Sequence, residues 1–166
     1  MAESVLTNFL FPKLDRRFGL RVLALAVFCL LFFRFVCRPC VIRGESMLPT
    51  YGGAGLTFCW CPSAWFGHPR RGQIVVLRFV GQRVLLLKRI VGLPGEMIEF
   101  RDGQLLVDGE PLQEEWPTLG PCNWTLPPRK VETGHVYVVG DNRSMDMESH
   151  VFGQIPASRI LGAPLW

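Results

Sequence analysis

Two residues of the 166-residue sequence could together perform nucleophilic chemistry. Ser46 stands within residues 44–50, GESMLPT, where the neighbouring glycine and proline predict a short loop with an exposed hydroxyl. Lys88 stands within residues 85–91, LLLKRIV, an apolar run that predicts a strand. Because side chains alternate along a strand, Lys88 shares a face with aliphatic neighbours. Burial among such groups lowers the pKa of a lysine, and a neutral amine can act as general base for a serine hydroxyl.

Each of these residues also has a simpler interpretation. A serine in a loop is most often a turn former, and a lysine on an amphipathic strand most often reaches solvent. A third segment, residues 140–153 with the sequence GDNRSMDMESHVFG, is dense in polar groups and follows the apolar run 135–139. It predicts a hydrogen-bonded loop after a strand, and taken alone it would be an ordinary surface turn.

The composition excludes several classes of protein. Hydrophobic residues make up 49% and charged residues 19% of the chain, and the mean hydropathy is +0.23. This argues against disorder, which requires low hydrophobicity and high net charge. One apolar helix accounts for the excess, so a polytopic membrane protein is not expected. The net charge of +4 is small and the basic residues do not cluster with aromatic ones, so nucleic acid is not an expected partner.

The cysteines and histidines do not predict a metal site. Cys37 and Cys40 have the spacing of a metal or redox pair, but no second pair follows at zinc spacing, and the three histidines are separated. We therefore expect neither a metal nor another cofactor. A disulfide between Cys122 and either Cys59 or Cys61 is an open alternative if the domain faces an oxidising compartment.

The elements that must position these residues begin with an apolar stretch. Residues 22–33 are apolar without a break, and Arg21 and Arg34 lie near the ends of residues 19–37. A spanning helix needs about 20 residues, and arginines near its ends can extend to the lipid headgroups. We predict an N-terminal tail over 1–18 and a transmembrane anchor over 19–37. One alternative is a cleaved signal peptide, but the small-residue cleavage site that it needs is lacking. The other is a buried helix in a soluble core; apolar residues on every side of the helix disfavour a position on a soluble surface.

Residues 38–166 predict one β-rich catalytic domain. Apolar and β-branched runs predict several strands, at residues 74–80, 84–91, 135–139 and 160–166. Arg101-Asp102-Gly103 between two such runs predicts a hairpin, and Asp108-Gly109 predicts a second turn. The five prolines of residues 111–130 predict an irregular excursion from the sheet. The predicted fold class is mostly β: an antiparallel β domain after one N-terminal transmembrane helix.

Four segments that follow the anchor along the chain resemble those of type I signal peptidases (leader peptidases), including their mitochondrial inner-membrane relatives. Residues 44–50 resemble the box of the nucleophilic serine, and residues 87–96, LKRIVGLPGE, resemble the box of the base lysine. Residues 71–76, RGQIVV, resemble an Arg-Gly-Asp-Ile-Val segment in which Gln73 replaces the aspartate. Gly140-Asp141-Asn142-Arg143 resembles the opening of the last box.

The resemblance implies a signal-peptidase-like fold and a membrane-anchored serine endopeptidase. Ser46 would be the nucleophile that forms an acyl-enzyme, and Lys88 the general base. The backbone N–H of Ser46 would donate to the oxyanion, whereas Gly44 replaces a hydroxyl residue that some members use. The substrates would be signal peptides of exported preproteins, cut after small residues. Further residues would support the site, namely Met47, Arg89, Asp141 and Arg143.

The last box departs from the family pattern at three positions. Asp146 replaces a serine that orients the lysine amine, Glu148 replaces an aspartate and His150 replaces an arginine, whereas Ser149 matches. A carboxylate at Asp146 could replace the serine's hydrogen bond but would favour the charged ammonium. We therefore predict a higher pH optimum than a serine would give. Glu148 and His150 could form a pH-sensitive version of the family's charge pair.

Several alternatives remain open in the sequence. A catalytically weak or inactive family member would bind signal peptides or a partner protein without cutting, and a purely structural anchor is the simplest alternative. A self-cleaving Ser–Lys repressor would need a DNA-binding helical domain, for which the N-terminal segment leaves no room.

The sequence also bears on location. Preprotein signal peptides and the lipid bilayer are the expected partners, and Trp60 and Trp65 are either a membrane-facing patch or core residues. The flanking basic residues slightly favour an inside N-terminus. We expect a bacterial cytoplasmic membrane, with the domain on its outer side; the mitochondrial inner membrane is the alternative, disfavoured by the lack of an Arg- and Ser-rich presequence.

Overall fold

The computed structural model describes residues 15–78 and 85–165, without the side chains of Arg43 and Ala54. The chain divides into two units between Cys37 and Arg38. Most of the predicted N-terminal tail, and the end of the strand predicted over 74–80, lie outside the described residues.

The first unit is an apolar helix. Helix α1 (Arg16–Leu31) begins after Asp15, whose carboxylate accepts a hydrogen bond of 2.7 Å from the Phe18 N–H, and a π-helical segment, Phe32–Val36, extends it. Together they form a span of 21 residues with a mean hydropathy of 2.2 and no buried residue. This is long and apolar enough to cross a membrane, and it begins three residues before the predicted anchor.

The second unit contains two β-sheets. The larger sheet has seven strands in the order β1-β2-β11-β3-β4-β9-β10. Their bounds are β1 Cys37–Arg43, β2 Ala54–Trp60, β3 Ile74–Arg78, β4 Leu85–Gly92, β9 His135–Val139, β10 Gly153–Pro156 and β11 Ile160–Pro164. The ladders that join β2 through to β10 in this order are antiparallel. The predicted mostly-β antiparallel fold is confirmed.

The smaller sheet has four strands in the order β7-β6-β5-β8, namely β5 Met97–Arg101, β6 Gln104–Val107, β7 Glu110–Pro111 and β8 Leu126–Lys130. Asp102 and Gly103 have φ of 50° and 82°, and Asp108 and Gly109 have φ of 53° and 86°. Positive φ at both central residues is the signature of a type I′ turn. The predicted hairpin and second turn are therefore present.

Residues 111–130 are less irregular than predicted. Their last five residues form β8, which pairs with β5 through Ile98 and Arg129. Just before β8, the indole of Trp124 is buried in a core cluster with Phe100 and Val139. The prolines delay the strand but do not prevent it, because Pro127 and Pro128 lie on an edge strand, where a missing N–H is tolerated.

The larger sheet places Lys88 at its centre. Strand β4 lies between β3 and β9, with Lys88 opposite Val75. Leu87 packs in one hydrophobic cluster and Ile90 in another, as expected from alternation along the strand. Lys88 is buried there, with 2% of its surface exposed.

The cysteines are free thiols in this structure. Cys59 and Cys61 belong to the cluster that contains Met47, whereas Cys122 packs against the cluster around Trp124. The described residues therefore contain no disulfide between Cys122 and either of the other two.

Candidate active site

Ser46 lies in a tight loop between β1 and β2. Gly44 has a φ of 101°, which favours glycine, and its N–H donates to the Gly53 carbonyl at 3.0 Å. The Leu48 N–H donates to the Glu45 carbonyl at 3.1 Å, which closes a turn around Ser46. The next side chain, Met47, is buried, whereas Ser46 is half-buried. The buried Met47 side chain therefore holds the loop against the core, while Ser46 stays accessible.

The segment after β9 grips this loop through its backbone. The Asn142 N–H donates to the Ser46 carbonyl at 3.0 Å, and its side-chain amide donates to the Glu45 carbonyl at 3.1 Å. At Gly140 a Cβ would lie 2.1 Å from the Ser46 carbonyl oxygen, so only glycine permits this approach. The GDNR motif thus positions the serine backbone.

Lys88 is a buried cation without a carboxylate in contact. Its side chain is 2% exposed, and burial lowers its pKa from 10.5 to about 8, opposed by the negative charge of Asp141. The amine also lines a cavity of about 220 Å³, whose walls include Leu77, Leu86 and Val138. Part of such a lysine is neutral near physiological pH, and the neutral amine can accept a proton.

The group nearest to the Lys88 amine is an imidazole. His150 Nε2 lies 3.5 Å from Lys88 Nζ and accepts a hydrogen bond of 2.8 Å from the Gly140 N–H. Within the described residues the Ser46 hydroxyl forms no hydrogen bond with Lys88. The Ser46 backbone and the His150 ring nevertheless both approach Gly140. The Ser46 carbonyl oxygen and His150 Nε2 lie 2.1 Å and 2.7 Å from the position that a Cβ at Gly140 would take.

Asp141 forms a paired cluster beside this one. Its carboxylate accepts two hydrogen bonds from Arg89, of 2.8 Å and 2.6 Å, and one of 2.5 Å from the Thr50 hydroxyl. Arg89 also donates to the Gly72 carbonyl at 2.6 Å, and its guanidinium lies 5.1 Å from the Trp116 ring centroid. Every polar atom of this bidentate pair is engaged, which ties the lysine strand to the serine loop.

Arg143 forms a second paired cluster. Its guanidinium donates to both oxygens of Glu114, at 3.2 Å and 2.5 Å, and to the Gly140 carbonyl at 2.8 Å. It also lies 5.7 Å from the Phe100 ring centroid. Arg143 therefore links residues 111–130 to the loop that holds Ser46.

Residues 71–76, which lead into β3, support strand β4 next to Lys88. The Gly72 N–H donates to the Ile90 carbonyl at 2.8 Å, and Arg71 pairs with Glu96 at 2.5 Å while also donating to the Val91 carbonyl. The motif therefore braces β4 near Lys88, and the replacement at Gln73 leaves this bracing in place.

Two residues that depart from the family pattern in the last box, Asp146 and Glu148, lie on the surface and not beside Lys88. Asp146, Glu148 and Ser149 are exposed on or beside a 3₁₀ turn, Met147–Ser149, and line an open cleft with Asn123 and Trp124. Within the described residues Asp146 makes no contact with Lys88, and Glu148 forms no ion pair with His150. The 3₁₀ turn directs His150 inward, so the imidazole meets the amine where the sequence had suggested a carboxylate.

Three contributing residues escaped the sequence interpretation. Thr50 and Glu114 are the partners of Asp141 and Arg143, and Trp124 packs edge-on against His150 with ring centroids 4.8 Å apart. The signal for Trp124 was a tryptophan within a polar, proline-rich segment, where a large apolar side chain needs a core to enter. Thr50 ends the GESMLPT segment but had no role assigned to it, and no pattern in the sequence marks Glu114.

The chain is similar in sequence to known signal peptidases. The family model described as "Signal peptidase, peptidase S26" matches residues 16–165. A probable signal peptidase I-1 of Synechocystis sp. is 37% identical over 155 residues, which cover 89% of this chain and 78% of that protein. Signal peptidase I of Leptolyngbya laminosa is 33% identical over 91% of this chain and 79% of its own. A probable thylakoidal processing peptidase 2 of Arabidopsis thaliana is 33% identical over 80% of this chain and 38% of its own.

Proposed function

Since the chain belongs to the signal peptidase family, peptidase S26, we propose that Ser46 and Lys88 carry out its cleavage of signal peptides. The family and the named signal peptidase I relatives make the chain a serine protease. The observation that carries the assignment of the base is the burial of Lys88 without a carboxylate in contact, 3.5 Å from a neutral ring nitrogen.

Acylation begins when the Ser46 hydroxyl oxygen attacks the carbonyl carbon of the scissile bond and its proton passes to the Lys88 amine. The oxyanion that forms can accept from the Ser46 N–H, which makes no hydrogen bond within residues 15–78 and 85–165. When the intermediate collapses, the C–N bond breaks and the Lys88 ammonium gives its proton to the departing amine. The signal peptide remains as an ester on Ser46.

Deacylation repeats these steps with water. Lys88, again neutral, takes a proton from water as its oxygen attacks the ester carbonyl, and the ammonium then returns the proton to the departing Ser46 oxygen. The signal peptide leaves as a carboxylic acid and the serine is regenerated. In the described structure Ser46 and Lys88 are not yet hydrogen-bonded; such contacts often tighten only when substrate binds.

The low lysine pKa makes this chemistry feasible near neutrality. With a pKa of about 8, roughly a tenth of the amine is neutral at pH 7 and about half at pH 8. A solvent-exposed lysine would be neutral less than about one time in a thousand at pH 7. The buried setting on β4 therefore supplies the base.

We further propose that the protein acts at a membrane surface, with residues 19–37 as the anchor of a catalytic domain over 38–166. The apolar span Arg16–Val36 supports the anchor. Exposed apolar side chains on β1, β2 and the short helix α2 (Pro62–Phe66) support contact of the domain with lipid: Val41, Leu56, Trp60, Trp65 and Phe66. The bacterial relatives support a bacterial membrane, and we propose that it is the cytoplasmic membrane, with the domain on its outer side.

The test is cleavage of a labelled preprotein by the full-length protein in detergent, beside Ser46→Ala and Lys88→Ala. Matched controls are Ser158→Ala and Lys130→Ala, which alter an exposed serine and an exposed lysine. We expect cleavage after a small residue by the wild type and both controls, and none by the two site variants.

Undiminished cleavage by Ser46→Ala would overturn the assignment of the nucleophile, and undiminished cleavage by Lys88→Ala that of the base. A folded wild type that binds a signal peptide but leaves it intact would favour the binding-only alternative.

A further inference from the structure

We propose that His150 is the positioning residue of the catalytic base: its neutral imidazole accepts a hydrogen bond from the Lys88 amine and orients it for proton transfer. The inference rests on the proposed role of Lys88. It assigns to His150 the task that the resemblance gives to the residue at position 146. The juxtaposition of Lys88 Nζ and His150 Nε2 at 3.5 Å, both buried, carries the proposal.

The hydrogen bond from Gly140 fixes the tautomer of the ring. Because the Gly140 N–H donates to Nε2 at 2.8 Å, Nε2 carries a lone pair, and in the neutral ring the proton is on Nδ1. A ring with its proton on Nε2 would place two N–H groups head to head. The single lone pair of Nε2 therefore faces two donors, the Gly140 N–H at 2.8 Å and the Lys88 amine at 3.5 Å, and the Lys88 contact is the longer of the two.

The ring is held so that it cannot turn away. Trp124 packs edge-on against it at 4.8 Å between centroids, and Phe152, stacked on Trp124 at 5.2 Å, lies 5.9 Å from it. The Trp124 indole N–H donates to the Met145 carbonyl at 2.9 Å, which fixes the tryptophan to the same loop. On the opposite side, the ring atoms Cε1 and Nε2 lie 2.6 Å and 2.7 Å from the place of a Gly140 Cβ.

The charges around the ring keep it neutral. Burial and the positive charges of Lys88 and Arg143 lower the pKa of His150 to about 3. Among the described residues, the negative charge that acts on Lys88 is that of Asp141, which is already engaged by Arg89. The arginines Arg78 and Arg159 line the same cavity as Lys88. The Nδ1 atom is buried and has no partner among the described residues. The ring therefore leaves Nδ1 without a hydrogen bond while Nε2 lies beside the Lys88 amine.

A neutral acceptor suits a base better than a carboxylate would. A carboxylate in contact would stabilise the ammonium and raise the lysine pKa, leaving less free amine. An imidazole nitrogen accepts from the neutral amine, which directs the amine's lone pair away from the ring. It accepts more strongly from the ammonium formed during attack by Ser46, because hydrogen bonds from charged donors are stronger. His150 therefore stabilises the state in which the proton has been transferred.

The kinetic test compares His150→Phe with His150→Gln. Phenylalanine keeps an aromatic ring against Trp124 but removes the acceptor, and glutamine restores an acceptor oxygen. We expect His150→Phe to lower kcat about 100-fold with KM little changed, and to move the acidic limb of kcat/KM to lower pH. His150→Gln should retain kcat within about tenfold. The control His135→Gln alters a histidine at the start of β9 and should match the wild type.

A second readout does not depend on cleavage. The chain has three lysines, Lys13, Lys88 and Lys130, so ¹³Cε-labelled lysine in full-length Ser46→Ala gives three NMR signals to titrate. We expect one midpoint near pH 8, and we expect His150→Phe to lower it by about half a unit or more. Nitrogen NMR of labelled histidine should show His150 protonated at Nδ1 and bare at Nε2.

Two results would overturn the inference: a His150 ring protonated at Nε2, or a Lys88 midpoint that is the same in His150→Phe as in the parent. Equal loss of kcat in the Phe and Gln variants, with the acidic limb unmoved in both, would reduce His150 to a packing residue. If the wild type failed to cleave any preprotein, the proposed function would fail, but the two NMR results would still decide the pairing of His150 with Lys88.

Discussion

Two buried clusters meet at Gly140 and Asp141 and treat charge in opposite ways. In one, Asp141 is matched by Arg89 and Thr50, so that a buried carboxylate has three hydrogen bonds. In the other, Lys88 is equally buried, and its hydrogen-bond contact within the described residues is with a neutral imidazole. The first arrangement satisfies its charges and holds β4 against the serine loop. The second leaves a cation poorly stabilised.

The difference in charge pairing distinguishes a cluster that stabilises the fold from a residue that is suited to act as a base. Removing one member of a buried ion pair leaves the other charge uncompensated, which is costly, so the Asp141 cluster resists change. A buried amine with no counter-ion in contact is destabilised as an ammonium and gains reactivity as a base. Instability of the Lys88 ammonium is therefore what its proposed role as base requires, while the charges of the neighbouring Arg89–Asp141 pair are matched.

The largest expected effect is at Lys88, where activity and stability should move in opposite directions. Lys88→Met should lower cleavage at least about 10⁴-fold, since it removes the proposed general base. It should also raise the free energy of unfolding at pH 7 by up to about 3 kcal/mol, because the buried cation is gone. Urea denaturation and a preprotein assay measure the two effects, with Lys130→Met as the exposed-lysine control. A Lys88→Met variant less stable than the wild type would contradict the comparison.

The next effect is at Asp141, where stability should fall. Asp141→Asn leaves the Arg89 guanidinium buried without a counter-ion, and we expect a loss of about 3–5 kcal/mol in the free energy of unfolding. The matched control is Glu99→Gln, which breaks the pair with Arg101, a side chain 60% exposed, and should cost under about 1 kcal/mol. If both substitutions cost the same in urea denaturation, burial would not distinguish the two pairs.

The pH dependence should report Lys88 in both activity and stability. Below pH 8, kcat/KM should rise about tenfold per pH unit and level off above it, because the neutral amine is the active form. Since the pKa is lower in the folded state than the ordinary 10.5, the unfolded chain binds more protons between pH 8 and 10.5. Stability from this group should therefore rise across that window, and the wild-type deficit relative to Lys88→Met should shrink. A deficit that is constant from pH 7 to 10.5 would rule out this linkage.

The smallest effects are expected at the exposed residues of the last box. Asp146→Ser and Glu148→Gln should each change kcat/KM less than about twofold and leave the acidic limb in place, because exposed charges are screened by solvent. The measurement is the pH profile of each variant beside the wild type. A lower midpoint in Asp146→Ser would instead support the sequence-based expectation that this carboxylate favours the ammonium of Lys88.

Local patterns predicted much of this molecule. The apolar span near the N-terminus follows from composition alone, because a run of apolar residues has the same consequence wherever it occurs. The Asp102-Gly103 and Asp108-Gly109 turns follow from backbone freedom at two consecutive residues. Lys88 was expected on an apolar strand, and the alternation that buries it is a property of every strand. The motif around Ser46 likewise depends on a glycine and a proline within a few residues.

Only the tertiary structure decided which side chain meets the Lys88 amine. The sequence offered Asp146, by its place in a pattern, but the amine meets His150, a residue 62 positions away from Lys88. That contact depends on the direction of the 3₁₀ turn before His150. It also depends on Trp124, which lies within residues 111–130 and packs against the His150 ring. Side chains in a loop have no fixed period, so their directions are set by whatever packs against them. A local motif therefore proposed Lys88 as the base, whereas long-range packing decided which side chain lies beside its amine.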